Sequence, residues 1–327
     1  MGPNCGPHRG PFFGVIAIVF NPTARGDKAA AFRARLNIAM RAAQVAGVVV
    51  VLRPTRSAGD AVTQAREAVE HGCTTLVAAG GDGTVNEVVN GLAQVPDGPQ
   101  RTRLGILPLG TVNVFAKELQ VPGDFEAGWQ LLLRGGERRV DLGLVEYSGG
   151  TPVAVPMRRW FVQMGGAGLD SLALERVSWE LKKKVGPLAY VWAGLQALFG
   201  PLPVVEAEVD GRKVSGQLAL IGNGRFYGGR WVVFPQAQLN DGQLDLAMVE
   251  RVSPWRFPGQ FAALARGRFG AASGLVHWQG KEIVLRAAAA TAPTTGSGIP
   301  FHVEGDNMGH LPARFTLDAR GLRVITP

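Results

Sequence analysis

Cysteine is nearly absent from this sequence, with two in 327 residues. Cys5 lies in a Gly/Pro-rich leader and Cys73 beside a strand-like run. Two thiols cannot build a disulfide framework or a Cys-rich zinc site, and such a chain suits a reducing cytoplasm. A secretory signal is also missing. Met1 to Gly10 lacks a charged start followed by an apolar run, and the apolar stretch Phe12 to Phe20 ends in Asn21-Pro22 without a cleavage-like tail. Long uncharged runs are scarce. Val185 to Val205 follows Lys182-Lys183-Lys184 and carries no charge, but Pro187, Pro201 and Pro203 confine any helix there. About 13 residues at 1.5 Å each span roughly 20 Å, too short for a hydrocarbon core of about 30 Å. The segment is expected to be a buried core helix or one that dips into an interface. Neither standard phosphate signature occurs: there is no Gly-x-x-x-x-Gly-Lys-Ser/Thr, and no Gly-x-Gly-x-x-Gly between a strand and a helix.

What remains is a packed globular composition, 46% hydrophobic and 18% charged. The net charge of +8 suits nucleic acid, an anionic membrane or phosphorylated ligands, and equally an Arg-rich proteome. The distribution is more informative than the sum. Arg138-Arg139, Arg158-Arg159 and Lys182 to Lys184 are separate clusters without interleaved aromatics, which argues against a nucleic-acid partner.

Length and texture predict two domains, an α/β domain over 12–139 and a β-rich domain over 140–327. In the first, strands Val15 to Phe20, Val48 to Val51, Thr75 to Ala79 and Leu104 to Leu107 alternate with helices. Those helices are Lys28 to Ala46, Asp60 to Glu70 and one after Thr84. Short apolar strands between amphipathic helices predict a doubly wound, mostly parallel sheet that binds ligands at its carboxyl edge. The second domain reads as an antiparallel β-sandwich. Its strands are Arg138 to Val145, Arg159 to Met164, Val204 to Val209, Gln217 to Ile221, Leu244 to Val249, Lys281 to Arg286 and Phe315 to Leu317. A helical insert covers Leu172 to Phe199, Thr291 to Pro300 is a loop, and the last strand is a candidate to return to the first domain.

The densest chemical signal follows the third strand. Gly80-Gly81-Asp82-Gly83-Thr84-Val85-Asn86-Glu87 packs three glycines into four residues, so the backbone can turn tightly and approach a ligand closely. Its amides and the next helix's N-terminus make an anion site, to which Thr84 adds a hydroxyl. Asp82 would repel a bare polyphosphate, so its central position points to phosphoryl chemistry with a metal ion or proton relay.

The string from Gly80 to Leu92 resembles the signature of the diacylglycerol kinase catalytic domain family, which includes bacterial diacylglycerol kinases and their sphingosine and ceramide kinase relatives. Four further segments resemble that family: Asn21 to Gly26, Pro108-Leu109-Gly110-Thr111-Val112-Asn113, Gly222-Asn223-Gly224-Arg225-Phe226-Tyr227-Gly228-Gly229, and Leu239 to Asp245. The resemblance implies an ATP site lined by Asn21, Thr23, Thr55, Gly80, Gly81, Asp82, Gly83, Thr84, Val85, Asn86 and Thr111. It implies a structural magnesium (Mg2+) at Gln238, Asp241 and Gln243, two of which could offer only carbonyl oxygens. A helix cap at Thr55 and a plain turn at Asp241 stay open.

The family's general base is the Glu of an Asp-Gly-Glu triplet, and this chain reads Glu304-Gly305-Asp306. Asp306 is the expected base and Glu304 a supporting carboxylate, with Asp82 also catalytic. Val114 stands where many members carry Asp, and Asp141 matches another family acid. The resemblance implies transfer of the γ-phosphate of ATP to a lipid hydroxyl, with diacylglycerol the first candidate. It places the protein in the cytoplasm, transiently peripheral to the inner face of the membrane, and leaves a homodimer open. A different Gly-Gly-Asp-Gly kinase acting on NAD, and a silent nucleotide- or lipid-binding relative, are the competing readings.

Overall fold

The computed structural model describes residues 14–22, 27–45, 47–148, 156–176, 196–229, 231–264, 266–268, 270, 274–288 and 298–327. Cys5, the leader, Thr23, Lys182 to Lys184, most of the uncharged 185–205 segment and most of the Thr291 to Pro300 loop lie outside the described residues. The chain divides into two compact units. Unit 1 is 1–109, 121–137 and 323–327, and unit 2 is 110–120 and 138–322.

Unit 1 begins β1 (Val15–Phe20), α1 (Asp27–Val45), β2 (Val49–Pro54), α2 (Asp60–Glu70), β3 (Thr75–Gly80), α3 (Asp82–Gln94), α4 (Gly98–Arg101) and β4 (Arg103–Pro108). The short α5 (Val114–Glu118) belongs to unit 2, and α6 (Phe125–Arg134) returns to unit 1. The strands pair in parallel in the order β2-β1-β3-β4, with Ile16 opposite Val50 and Thr75, and Leu76 opposite Leu104. Val324, near the chain end, pairs in parallel with Leu104.

Strand alternation sends residues to both faces. Ile16, Ile18, Phe20, Val77, Ala79 and Leu107 share a core with Phe32 and Leu36 of α1 and Phe125, Trp129 and Leu132 of α6. The aromatic rings form a chain: Phe32 meets Phe125 edge-on at 5.7 Å, and Phe125 stacks on Trp129 at 6.3 Å. On α2 and α3, the buried stripes Ala61, Ala65, Ala68, Val69 and Val85, Val88, Val89, Leu92 face inward. Gly91 makes their close approach possible, because a Cβ there would collide with the Val62 carbonyl of α2.

Unit 2 continues with β5 (Gly136–Tyr147, from Arg138 onward), β6 (Met157–Phe161), β7 (Met164–Gly168), α7 (Leu169–Arg176), β8 (Val205–Val209), β9 (Arg212–Gly216), β10 (Leu218–Gly222), β11 (Phe226–Tyr227) and β12 (Trp231–Val232). Then come β13 (Leu244–Val249), α8 (Phe257–Leu264), β14 (Leu275–Gly280), β15 (Ile283–Ala287), β16 (Pro300–Val303), β17 (Asp306–His310) and β18 (Ala313–Thr326, whose last residues belong to unit 1). One layer has antiparallel neighbours β18-β15-β8-β9, with β5 and β6 attached through β18. The other is the six-stranded sheet β14-β13-β10-β7-β16-β17. Val205, Ala207, Ile283, Leu285 and Phe315 of the first layer share a core with Ala167, Ile221, Leu246 and Phe301 of the second. Two sheets closing on one apolar core form a β-sandwich, so the expected fold class is the observed one.

Sequence boundaries differ from the structure mainly in unit 2. The expected strand Arg159 to Met164 is two strands, because the chain bends at Val162 and Gln163, where both backbone N–H groups are drawn to the Glu304 side chain. Pro300 opens β16 and is not loop, a position where a missing N–H costs nothing. Phe315 to Leu317 is the middle of a strand of 14 residues.

Cys73 is buried, and burial pushes its thiol up to about 11 against the opposing pull of Arg101 and Arg53. In a Cys5→Ser background at pH 8, iodoacetamide should leave the native protein unlabelled and react after denaturation. Gly91→Ala should lower stability by about 1–3 kcal/mol in urea denaturation, because a backbone carbonyl must move to admit the methyl.

Candidate active site

In unit 1 the sheet register gathers the predicted nucleotide residues along one edge. Phe20 is opposite Pro54 and Ala79, and Gly80 is opposite Pro108. The strands therefore end together. The Thr55 N–H donates to the Phe20 carbonyl at 2.9 Å, and the Leu109 N–H to the Gly80 carbonyl at 2.9 Å. Asn21, Thr55 and the Gly80 to Thr84 turn thus follow directly from neighbouring carboxyl ends, the edge where an open α/β sheet binds ligands.

The turn has the shape its composition requires. Gly80 is buried at the end of β3, Gly81 precedes α3 in extended conformation, and Asp82 is the first helical residue. The Thr84 hydroxyl lies against the Gly80 α-carbon, where any Cβ would collide with it. The first-turn amides of α3 lack intrahelical partners by geometry, which makes that end an anion site. Val85 and Asn86 point inward. Both are buried, and the Asn86 side-chain oxygen accepts from Asn90 Nδ2 at 3.3 Å.

Glu87, part of the same string, received no role from sequence reasoning. Its carboxylate accepts the Gly59 N–H at 3.1 Å and the Ala61 N–H at 3.2 Å, pinning the start of α2 to α3. Gly59 has φ 83, open to glycine at no cost. A Glu five residues beyond Asp82 is the only trace this tie leaves in the sequence.

In unit 2 the remaining motifs converge on one buried carboxylate. The Glu118 side chain, 5% exposed, receives the Arg225 N–H at 2.8 Å, Arg225 Nε at 2.8 Å, the Phe226 N–H at 3.2 Å and Gln163 Nε2 at 3.2 Å. It thereby binds the segment after Gly110-Thr111-Val112-Asn113 to the Gly222 to Gly229 motif. Thr111 is exposed beside this anchor. Val114, where the family pattern has a carboxylate, is buried in α5.

Gln163 extends the anchor. Its side-chain amide also donates to the Phe226 carbonyl at 2.9 Å, its backbone carbonyl accepts the Asn223 N–H at 2.9 Å, and Glu304 Oε1 accepts the N–H groups of Val162 at 2.8 Å and Gln163 at 2.7 Å. Glu304 and Gly305 both have positive φ, 54 and 84, as a two-residue hairpin turn between β16 and β17 requires. Glu304 is therefore held by backbone donors. Asp306, which opens β17 opposite Val303, is exposed, and its side chain makes no hydrogen bond or ion pair among the described residues.

Sequence reasoning missed a polar cluster at His302 of β16, two residues before the Glu304 turn. Tyr227 Oη donates to Asp170 Oδ2 at 2.8 Å, and His302 Nε2 lies 2.9 Å from that oxygen and 3.0 Å from Tyr227 Oη. Burial, then the charges on Asp170 and Glu304, push the Tyr227 hydroxyl well above its ordinary range. His302 Nδ1 is buried with no partner among the described residues, an acceptor or donor left unanswered. No spacing in the sequence marked this cluster, because Asp170, Tyr227 and His302 come from three distant segments.

For the metal residues, Gln238 is exposed while Asp241 and Gln243 are half-buried. Asp241 Oδ1 accepts the Gln243 N–H at 3.0 Å, and Asp141 Oδ2 accepts the Gly242 N–H at 2.8 Å. Burial raises the pKa of both carboxyls, with the charges of Asp245 and Asp141 adding to it at Asp241. Among the described residues, no three His, Cys, Asp or Glu side chains are grouped to hold a metal. The donor set is instead carboxylate and carbonyl oxygen, which fits a hard cation, and neighbouring desolvated carboxylates are what such a cation offsets.

Residues 15–145 match the diacylglycerol kinase catalytic domain family model, and residues 164–326 match the YegS C-terminal NAD kinase beta sandwich-like domain. A protein named diacylglycerol kinase from Staphylococcus aureus (strain MRSA252) is 30% identical over 318 residues, covering 95% of this chain and 91% of the relative. The chain belongs to the diacylglycerol kinase family. Membership implies a kinase, with ATP as its implied phosphate donor.

The fold agrees with solved structures. A putative diacylglycerol kinase from Bacillus anthracis str. Sterne superposes with a TM-score of 0.75 at 22% identity, covering 98% of this chain and 99% of that one. Yeast NADH kinase complexed with NADH gives 0.53 at 9% identity, covering 98% and 84%. Both likenesses are of fold alone.

Glu118→Ala should cost about 3–5 kcal/mol, since it strands buried donors from three residues. Glu118→Gln keeps one acceptor oxygen and should cost less. Urea denaturation of both variants beside the parent chain checks the order.

Proposed function

We propose that the protein is an ATP-dependent lipid kinase that transfers the γ-phosphoryl group to a lipid hydroxyl, with diacylglycerol as acceptor and phosphatidic acid as product. The observation that carries this reading is the Gly80 to Thr84 turn, which opens α3 from the carboxyl end of β3. The diacylglycerol kinases that match over nearly the whole chain support the acceptor class.

In unit 1, the α3 N-terminus and the glycine amides bind and orient the phosphates of Mg-ATP, with Asn21 and Thr55 contributing polar groups at the same sheet edge. Thr111 is the further hydroxyl that the family resemblance implies for the nucleotide. Asp82, as the first residue of α3, would hold the magnesium ion that accompanies ATP, which would offset the charge of the phosphates. In unit 2, Asp306 accepts the proton of the acceptor hydroxyl as its oxygen attacks the γ-phosphorus and the bond to the β-phosphate oxygen breaks, releasing ADP. Glu304, fixed by Val162 and Gln163, keeps a carboxylate beside that loop and sets the hairpin that presents Asp306.

A resident magnesium, if bound, would be held by the Asp241 carboxylate and the carbonyls of Gln238 and Gln243. It would supply charge compensation for Asp141 and Asp241.

Catalysis in this scheme is mostly positioning and charge stabilisation. With radiolabelled ATP and a panel of diacylglycerol, sphingoid base, ceramide and NAD, label should enter diacylglycerol and give phosphatidic acid by mass. Asp82→Ala should abolish turnover with the fold intact, and Asp306→Asn should lower kcat by about 10²–10⁴-fold, the usual worth of a general base. An Asp82→Ala protein with the parent rate sinks the mechanism. Label in NAD with none in lipid would establish the other reading.

A further inference from the structure

Unit 2 exposes aromatic side chains around α8, within a stretch that carries no Asp or Glu after Glu250. Trp255 is 92% exposed and Phe261 and Trp231 each 38% exposed. The rings are in contact: Trp231 meets Phe261 edge-on at 5.3 Å, and Phe261 lies 6.0 Å from Phe257. Helix α8 is anchored beneath them, with Gln260 and Leu264 buried and Phe257 packed partly against the outer core of the six-stranded sheet. Phe257 and Phe261, four residues apart, share a helix face. Gln260 Nε2 further ties the helix to the Arg251 carbonyl at 2.9 Å.

The charges complete the pattern. From Arg251 to Gly280 the sequence contains four arginines, Arg251, Arg256, Arg266 and Arg268, and no Asp or Glu. All four are exposed, and none forms an ion pair among the described residues. Two precede α8 and two follow it. A helix of eight residues is about 12 Å long, so the guanidinium groups bracket the aromatic rings at both ends. Arg266 folds back along the helix, its Nη1 donating to the Ala262 carbonyl at 3.0 Å.

Exposed tryptophan and phenylalanine beside uncompensated arginines match a membrane interface, where indole rings sit at headgroup depth and cations meet lipid phosphates. We propose that this face, built from Trp231, Trp255, Phe257 and Phe261 with Arg251 and Arg256, docks the protein on an anionic lipid bilayer. The proposal deepens the lipid-kinase reading by assigning the surface through which that enzyme meets its substrate's phase. A second protein surface would need no such one-signed charge, whereas an anionic leaflet selects for it. This face uses none of Lys182 to Lys184 or the uncharged run after them, the residues that sequence alone suggested for the same purpose.

The test uses the full chain without ATP, so that its outcome is independent of turnover. Sedimentation with sucrose-loaded vesicles compares pure phosphatidylcholine with phosphatidylcholine containing about a third phosphatidylglycerol. The protein should partition onto the anionic vesicles and leave them as salt rises. Arg256→Gln should weaken partitioning about fivefold, the equivalent of about 1 kcal/mol for one arginine at an anionic surface. Arg251→Gln with Arg256→Gln should weaken it about 25-fold, and Trp255→Ser with Phe261→Ser by at least tenfold. Trp255 is exposed enough for its replacement to leave the melting temperature unchanged, and that measurement accompanies each variant.

Several results would overturn the proposal. These are equal sedimentation of parent and variants, loss only when Lys182 to Lys184 become Gln, release of a dimer by Trp255→Ser without vesicle binding, or binding to an RNA oligonucleotide in place of vesicles. Vesicle binding with no phosphorylated lipid would leave the docking face standing and remove the kinase reading. Turnover of a short-chain, water-dispersed acceptor, unchanged in the docking variants, would separate the two in the other direction.

Discussion

The Glu118 carboxylate is the point on which unit 2 is assembled. Taking a carboxylate out of water is costly unless donors replace the lost hydration. Here those donors come from Arg225, Phe226 and Gln163, residues 107, 108 and 45 positions away in sequence. No apolar contact could impose the same arrangement, because only a charged acceptor requires several N–H groups at once. The Glu118 hydrogen bonds fix the Gly222 to Gly229 motif, Gln163 fixes Glu304, and Glu304 shapes the hairpin that carries Asp306. The order of dependence runs from a buried charge to the proposed catalytic loop.

This explains how two sequence motifs that never touch in the chain act as one site. Gly110 to Asn113 leads into α5, and α5 ends in Glu118. Gly222 to Gly229 supplies the receiving amides and the Tyr227 hydroxyl that meets Asp170 and His302. Glycine is needed at Gly224 because a Cβ there would press on the Gln163 amide. At Asp306 the situation is reversed. Its neighbours hold the backbone while its carboxylate is left facing solvent, the state in which a base can meet a substrate proton.

Unit 1 was largely legible in the sequence because its determinants are local. Val15–Phe20 and Asp60–Glu70 agree to the residue, since apolar runs and a 3.6-residue stripe are written within each element. The carboxyl-edge location of Gly80 to Thr84 follows from the same pattern. Unit 2 was legible as strands and turns, but the Val162-Gln163 bend, the 14-residue β18 and the Asp170-Tyr227-His302 cluster were not. Each depends on partners far along the chain, and a single sequence carries no mark of a hydrogen bond across 141 residues. The motif resemblance supplied the missing relation for the candidate site. It could not supply Glu87 or Glu118, whose roles are to hold other motif residues in place.

The Glu87 tie has a further consequence for ligand choice. Helices α2 and α3 both begin near the carboxyl edge of one sheet, and each helix start would draw an anion by its dipole. At α2 that demand is already met internally, because the Glu87 carboxylate sits on the Gly59 and Ala61 amides. An incoming phosphate would have to evict a tethered competitor there. The protein thus plugs one of these two electropositive sockets with its own side chain, and by subtraction leaves the one at Gly81 and Asp82 for the polyanionic guest of the proposed reaction.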